Sequence, residues 1–136
     1  MSIRTLLIAG TTAAVLASGG AAAAADAPVV SGQHTHTGKS PLTVPGTGVK
    51  AGAVLPKGAR LISRDVTLEG EQAARVVLRA PAGKTLRGVG MPEGQKIGFQ
   101  LVGRSSYVGR RQVTLRATVV GHAAGAVTGR VYALAR

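Results

Sequence analysis

The stretch Gln112-Val113-Thr114-Leu115-Arg116-Ala117-Thr118-Val119 alternates strictly between polar and apolar residues. In a β-strand, successive side chains point to opposite faces, so a period of two places every apolar residue from Val113 to Val119 on one face. Such a segment is typical of a strand that has one face in a core and the other in water.

Similar but shorter alternations occur on both sides of it. They predict further strands over residues 62–69, 74–80, 97–101 and 126–134. Turn signals separate these segments, among them three Pro-x-Gly turns, in which Pro fixes its own φ and Gly accepts a positive φ. The turns lie at residues 56–58, 81–83 and 92–94.

About six or seven short strands with such spacing predict an all-β fold. We expect a small antiparallel β-sandwich, with a small β-barrel as the alternative. In outline the pattern resembles an immunoglobulin-like module, although the chain has no Trp and no Cys pair. Without Cys, a domain of this kind folds by hydrophobic burial rather than by disulfide bonds.

The N-terminal part of the chain differs from the rest. Residues 1–25 begin with the positive charge of Arg4, continue through a short apolar stretch and end in Ala23-Ala24-Ala25, which predicts a cleaved signal peptide and a secreted or wall-associated protein. A retained membrane anchor is the alternative, but the apolar part is shorter than the about 20 residues that span a bilayer. Residues 26–41 are predicted to form a flexible tether, and residues 42–136 to form the β-sandwich domain.

The last predicted strand has apolar residues on both faces. Val131 and Ala133 lie on one face, and Tyr132 and Leu134 on the other. We expect such a strand to be covered on both sides, by the tether or by another subunit. If it lies at a sheet edge, it could also pair with a second copy, which makes a homodimer one hypothesis.

The predicted domain is strongly basic. Residues 42–136 carry 4 Lys and 11 Arg against 4 acidic residues, a net charge of +11. Such a charge attracts polyanions, and the planar guanidinium group suits phosphate.

For an exported protein the candidate partners are anionic wall polymers, lipid head groups and extracellular nucleic acid. The candidate binding residues occupy outward strand positions or adjoining loops: Arg75, Arg79, Arg104, Arg110, Arg111, Arg116 and Arg130. The alternative is that the charge only keeps the protein soluble.

Few aromatic residues accompany this charge. Phe99, Tyr107 and Tyr132 are the only ones, whereas proteins that bind single-stranded nucleic acid stack bases on aromatic platforms. This disfavours specialised nucleic-acid binding and sugar binding by stacking. A second hypothesis is a protein-interaction module, an accessory subunit or inhibitor of an envelope protein, that presents the Arg104–Arg111 loop.

The sequence shows no constellation typical of an enzyme. No Ser lies in a Gly-x-Ser-x-Gly elbow, and His122 lies in a Gly-rich loop, where we expect it to be exposed. Glu69 and Glu71 flank a predicted hairpin turn, so we expect them to be solvated rather than to form a glycosidase pair. Gly88-Val89-Gly90 lacks the Lys-Ser/Thr ending of a phosphate loop and is interpreted as a turn or a strand bulge. We therefore predict a non-enzymatic protein without a cofactor or a small-molecule substrate.

One segment has two histidines at a spacing that can bind a metal ion. His34-Thr35-His36 places two imidazoles at i and i+2, which can hold Cu²⁺ or Zn²⁺ weakly. A stable site needs three or four ligands and an ordered second layer of contacts. We therefore predict no metal, with His34 and His36 as a weak candidate pair.

Overall fold

The computed structural model describes residues 27–40, 43–103, 106–122 and 124–136. The predicted signal peptide, the predicted domain boundary at Leu42, and Arg104 lie outside these residues. The described residues form strands and no helix: β1 (Val29–Val30), β2 (His34–His36), β3 (Arg60–Glu69), β4 (Ala73–Arg79), β5 (Leu86–Gly90), β6 (Ile97–Leu101), β7 (Gln112–Val119) and β8 (Ala126–Ala135). Accordingly, this part of the chain contains no helix long and apolar enough to cross a membrane.

The strands form two antiparallel sheets. In the first sheet, β3 pairs with β8 along its whole length, β5 pairs with the other side of β8, and β1 and β2 both pair with the other side of β3. The second sheet has the order β4-β7-β6. Residues of both sheets share one buried cluster. The fold is therefore all-β, as predicted, and two sheets around one core are consistent with a β-sandwich.

The predicted alternation builds this core. Val66 and Leu68 of β3 and Val131 of β8 pack in one buried cluster with Val76 of β4 and Leu115 of β7. Complete burial of a Val or Leu side chain contributes about 1.5–3 kcal/mol. Because the chain has no Cys, these interleaved apolar side chains take the place of disulfide bonds in stabilising the domain.

A second cluster covers the opposite face of the first sheet. Leu61 of β3 and Tyr132 of β8 are both fully buried there. The residues that cover them come from the segment 43–59 and are Val44, Val49, Leu55 and Ala59. The prediction that the last strand is covered on both faces is thus confirmed, and the cover is the segment that follows the predicted tether. Since β8 lies between β3 and β5, it is not a sheet edge, and the predicted pairing of its edge with a second copy is wrong.

Close backbone contact holds the segment 43–59 against β5. A Cβ atom at Gly90 would lie 1.6 Å from the carbonyl oxygen of Pro45, and one at Gly88 would lie 2.6 Å from the carbonyl oxygen of Gly46. Glycine is needed at such positions because any side chain would separate the two backbones. The strand register shifts between Leu86 and Gly88, an irregularity of the kind that a β-bulge produces. Of the two interpretations of this glycine motif, a position in a strand rather than in a turn is supported.

Residues 29–36 belong to the sheet, which corrects the predicted tether over residues 26–41. β1 and β2 both pair with β3. Between them, Ser31 donates its N–H to the Asp65 carbonyl over 2.9 Å, and its Oγ accepts the Asp65 N–H over 2.9 Å. Main-chain hydrogen bonds form such pairings without any apolar period in the added strand. The polar composition of this segment therefore did not reveal it.

Candidate functional site

The outer face of the three-stranded sheet brings several predicted arginines together. The register places Arg75 of β4 directly opposite Arg116 of β7, and Arg116 in turn opposite Gln100 of β6. Arg79, four residues further along β4, lies opposite Gln112. Directly opposite residues have Cβ atoms about 4.5–5.5 Å apart, and four residues along a strand span about 13 Å. The face therefore carries a close pair, Arg75 and Arg116, and a third arginine, Arg79, about 13 Å further along β4.

Two further exposed arginines directly precede Gln112 in the chain, at that end of the surface. The Arg111 carbonyl accepts the Ala80 N–H over 2.8 Å, which extends the ladder between β4 and β7. Arg110 and Arg111 are exposed and border a shallow groove lined by residues 108–112. We call the combined surface the arginine face. Its residues are Arg75, Arg79, Arg110, Arg111 and Arg116.

Nothing in the described part of the chain neutralises the arginine face. All five side chains are exposed, and the described residues form one salt bridge, which lies in the other sheet between Arg130 and Asp65. Glu69 and Glu71 flank the turn between β3 and β4, and neither makes an ion pair there. The positive charge of the arginine face is therefore available to an external anion.

Arg130, by contrast, is separate from the arginine face and already neutralised. It donates Nε to Asp65 Oδ1 over 2.5 Å and Nη2 to Asp65 Oδ2 over 3.1 Å, and Nη1 donates to the hydroxyl of Tyr132 over 3.3 Å. The hydrogen bond from Arg130 holds the pKa of Asp65 below its usual range, and the same bond raises the pKa of Arg130. The structure does not bring Arg130 together with the other predicted arginines because β8 belongs to the five-stranded sheet.

The two candidate metal ligands lie on β2, next to this ion pair. His36 Nε2 is 2.9 Å from Ser63 Oγ, and the His36 ring centroid is 6.0 Å from that of Tyr132. Burial, and then the positive charge of Arg130, lower the pKa of His36. Within the described ranges, no group of three or more His, Cys, Asp or Glu side chains could hold a metal ion, so the His34 and His36 pair lacks a third ligand there.

His36 contacts Ser63 and feels the charge of Asp65, a combination that sequence reasoning did not join. Ser63 is only 1% exposed, whereas a nucleophile must reach its substrate. The carboxylate of Asp65 is engaged by Arg130 rather than by the imidazole. The group therefore anchors β2 to β3 and β8. His122, the other histidine considered for catalysis, is exposed in the loop between β7 and β8, as expected.

A second surface feature is a mainly apolar cleft of about 620 Å³ at one end of the molecule. It lies between Pro45, the turn over residues 91–94, Ile97 and Val120. Binding pockets for small molecules usually combine an apolar lining with a few convergent polar groups. Glu93 is the sole charged residue in this lining, so the cleft offers little to orient a ligand.

The chain was also compared with known proteins. No protein-family model, curated protein or solved structure matches it.

Proposed function

We propose that this protein is a secreted, non-enzymatic protein that binds anionic polymers outside the cell through the arginine face. The proposal includes export by the predicted signal peptide over residues 1–25 and an immunoglobulin-like sandwich as the scaffold. The observation that carries it is the register, which sets Arg75 directly opposite Arg116, where no carboxylate of the described residues forms an ion pair with either. Like charges directly opposite on neighbouring strands repel each other, and a bound anion would offset that repulsion.

The shape of the arginine face favours a polymer over a small anion. Arg75 and Arg79 are separated by about 13 Å along β4, which exceeds the reach of one phosphate group. Guanidinium groups donate two parallel hydrogen bonds to a phosphate, sulfate or carboxylate, and Gln100 and Gln112 in the same rows add neutral donors. A chain with repeated anionic groups, such as an anionic wall polymer, fits this arrangement. Binding of this kind weakens as the salt concentration rises.

Immobilised heparin, used as the probe polyanion, tests the proposal with matched charge variants. We expect the protein to be retained at low salt and the variant Arg75→Gln/Arg79→Gln/Arg116→Gln to elute at a clearly lower NaCl concentration. The control variant removes the same charge from exposed positions away from the arginine face. Its substitutions are Lys39→Gln, Lys50→Gln and Lys57→Gln.

Two results would contradict the proposal. Equal shifts for the two triple variants would mean that net charge alone causes retention. Flow-through of the unmodified protein at low salt would mean that it does not bind a polyanion of this class. Repetition with purified wall polymer, anionic lipid vesicles and duplex DNA then identifies which anionic group the protein prefers.

One observation favours a second candidate, the protein-interaction module that presents the Arg104–Arg111 loop. The described part of this loop is fixed to β5, since the Tyr107 hydroxyl accepts the Val89 N–H over 3.0 Å and the Gly109 N–H donates to the Leu86 carbonyl over 2.8 Å. A loop held in one conformation loses little entropy on binding a partner protein. A partner whose binding is insensitive to salt and abolished by Arg110→Ala/Arg111→Ala would support this candidate over polyanion binding.

A further inference from the structure

A positively charged side chain lies on the core-facing side of β3. Arg64 has the same strand parity as Ile62 and Val66, which are both fully buried in the core between the sheets. Its guanidinium reaches across to β4 of the other sheet, where Nη1 donates to the Val77 carbonyl over 2.8 Å. Nε donates to the Ser31 carbonyl over 3.0 Å. Arg64 therefore spans the two sheets at the free edge of β4.

These two hydrogen bonds leave the charge of Arg64 without a counter-ion. A guanidinium has further N–H donors, including both on Nη2. Within the described residues these donors have no partner, and no carboxylate forms an ion pair with Arg64. The neighbouring acid in the chain, Asp65, lies on the opposite face of β3 and is bound by Arg130. An anion from outside would stabilise a charge that is partly withdrawn from water in this way.

An amide and a second arginine lie beside Arg64. Gln33 is fixed on the edge of β4, since its Nε2 donates to the Arg79 carbonyl and its Oε1 accepts the Arg79 N–H, both over 2.8 Å. The second hydrogen on Nε2 has no acceptor among the described residues and remains a donor. The side chain of Arg79 is exposed and forms no ion pair with the described part of the chain.

The three polar side chains line one cleft at the edge of β4. The cleft has a volume of about 340 Å³, and its lining residues are Gln33, Arg64, Val77 and Arg79. This lining contains two cations and one amide, and none of these four residues is acidic. Binding sites for small molecules begin at about 300 Å³. The β4-edge cleft, as we call it, thus has room for one anionic group and a part of the molecule that carries it.

We propose that the β4-edge cleft binds one tetrahedral oxyanion group, a phosphate or a sulfate. Guanidinium groups donate paired N–H bonds to such oxyanions, and here two guanidinium groups and the Gln33 amide come from three separate segments of the chain. A tetrahedral group presents oxygens in several directions and can accept from all three side chains. A carboxylate has both of its oxygens in one plane and fits this arrangement less well.

The cleft is continuous with the arginine face, because Arg79 belongs to both. A polymer that crosses the arginine face would place one of its phosphate or sulfate groups in the cleft. The exposed arginines then supply long-range attraction, and the cleft supplies one defined position. This role in polymer binding rests on the proposed function, whereas the cleft as an oxyanion site does not.

Inorganic phosphate tests the site directly on the full chain. In a titration at constant ionic strength, we expect saturable shifts of two NMR signals, the Gln33 side-chain amide and the Arg64 Nε–H. Sulfate in the same titration shows which oxyanion is preferred, and acetate should bind at least about tenfold more weakly. Equal binding of acetate would overturn the proposal. So would shifts that do not saturate and affect all exposed arginines alike, since they would show general screening only.

The variant Gln33→Glu tests whether the cleft residues cause the binding. Its carboxylate still accepts the Arg79 N–H and gives Arg64 an internal anion, so we expect the Kd for phosphate to rise at least about tenfold. The control Gln100→Glu makes the same charge change at an exposed position of β6 that does not line the cleft. It should change this Kd by less than about twofold. Equal effects of the two substitutions would contradict the proposal.

A second pair of variants keeps the test decisive if Gln33→Glu does not fold. Arg79→Gln removes an exposed guanidinium, so the fold should be kept while the Kd for phosphate rises at least about tenfold. Arg75→Gln makes the same change on the same strand but outside the cleft, and the Kd should stay within about twofold. An unchanged Kd in Arg79→Gln would overturn the proposal.

These measurements also separate the cleft from the proposed function. Saturable phosphate or sulfate binding by a protein that heparin does not retain would keep this inference and contradict the proposed function. Retention on heparin without saturable binding of either oxyanion would keep the proposed function and overturn this inference.

Discussion

Arg75 and Arg116 lie directly opposite each other on β4 and β7, on the side of the three-stranded sheet that faces water. Neither has a carboxylate within ion-pair distance in the described residues. By contrast, Arg130 in the other sheet is bound by both oxygens of Asp65. The same kind of side chain is thus used in two ways, to join strands in one sheet and to leave positive charge exposed on the other.

The arginine pair predicts that stability depends on salt. Arg116→Gln removes one of two like charges that face each other. We therefore expect the free energy of unfolding at low salt to rise by about 0.2–1 kcal/mol. The difference should disappear near 1 M NaCl, where the screening length is about 3 Å. Urea titrations at both salt concentrations measure it, with Arg87→Gln as the control. A clear loss of stability in Arg116→Gln at low salt would show that the guanidinium has a favourable partner.

The Gln95 side chain bridges β6 and β8, and we predict that this bridge stabilises the fold. It makes three hydrogen bonds, one with Ile97 and two with Arg130. A single hydrogen bond contributes about 0.5–1.5 kcal/mol, so the loss of all three in Gln95→Ala should lower the free energy of unfolding by about 1.5–4.5 kcal/mol. The control is Gln112→Ala, at an exposed position. Similar urea midpoints for the two variants would mean that the bridge has no energetic role.

Gly90 predicts a strict limit on side-chain size. Its Cβ would overlap the carbonyl oxygen of Pro45, so Gly90→Ala should push the segment 43–59 away from β5 and cost about 3 kcal/mol or more. Because this segment buries Tyr132, near-ultraviolet circular dichroism should report its displacement. In Gly32→Ala the new Cβ meets nothing within 4 Å, so stability should change by less than about 0.5 kcal/mol. An equally mild effect at Gly90 would contradict the close packing.

His36 and Asp65 predict a loss of stability in acid. The folded state lowers the pKa of His36 from 6.5, first by burial and then through Arg130 and His34, while Asp65 acts in the opposite direction. The unfolded chain therefore binds more protons below about pH 6.5, so stability is full above that pH and falls as pH decreases. The lowered pKa of Asp65 adds a further loss below about pH 4.

Urea midpoints at pH 7.5, 6.5 and 5.5 check this dependence. His36→Gln should flatten the change between pH 7.5 and 5.5. His122→Gln, which alters an exposed loop histidine, should leave the change as it is in the unmodified chain. A stability that rises between pH 7.5 and 5.5 would reverse the predicted sign.

Sequence periodicity located the long strands. The segments that became β3, β4, β6 and β7 alternate between apolar and polar residues, and β8 was located as a strand with apolar residues on both faces. In the two-sheet fold, one apolar face of each of these strands meets the others in one core. The pattern is visible because each of these strands has its own apolar face. β1, β2 and β5 were not located, since β1 and β2 attach mainly through main-chain hydrogen bonds and β5 is interrupted by two glycines at a close backbone contact.

For the candidate site, the alternation placed Arg75, Arg79 and Arg116 on outward positions, and all three are exposed. It could not determine which strands are neighbours. The amino-acid sequence alone was thus enough for the fold class, the basic character and the core-facing side of β4, β6 and β7, because a period of two places the apolar side chains of such a strand on one side. That Arg75 faces Arg116 while Arg130 binds Asp65 follows only from the way the strands assemble. Strand order and register depend on main-chain hydrogen bonds between distant segments, and those bonds leave no local pattern in the side chains.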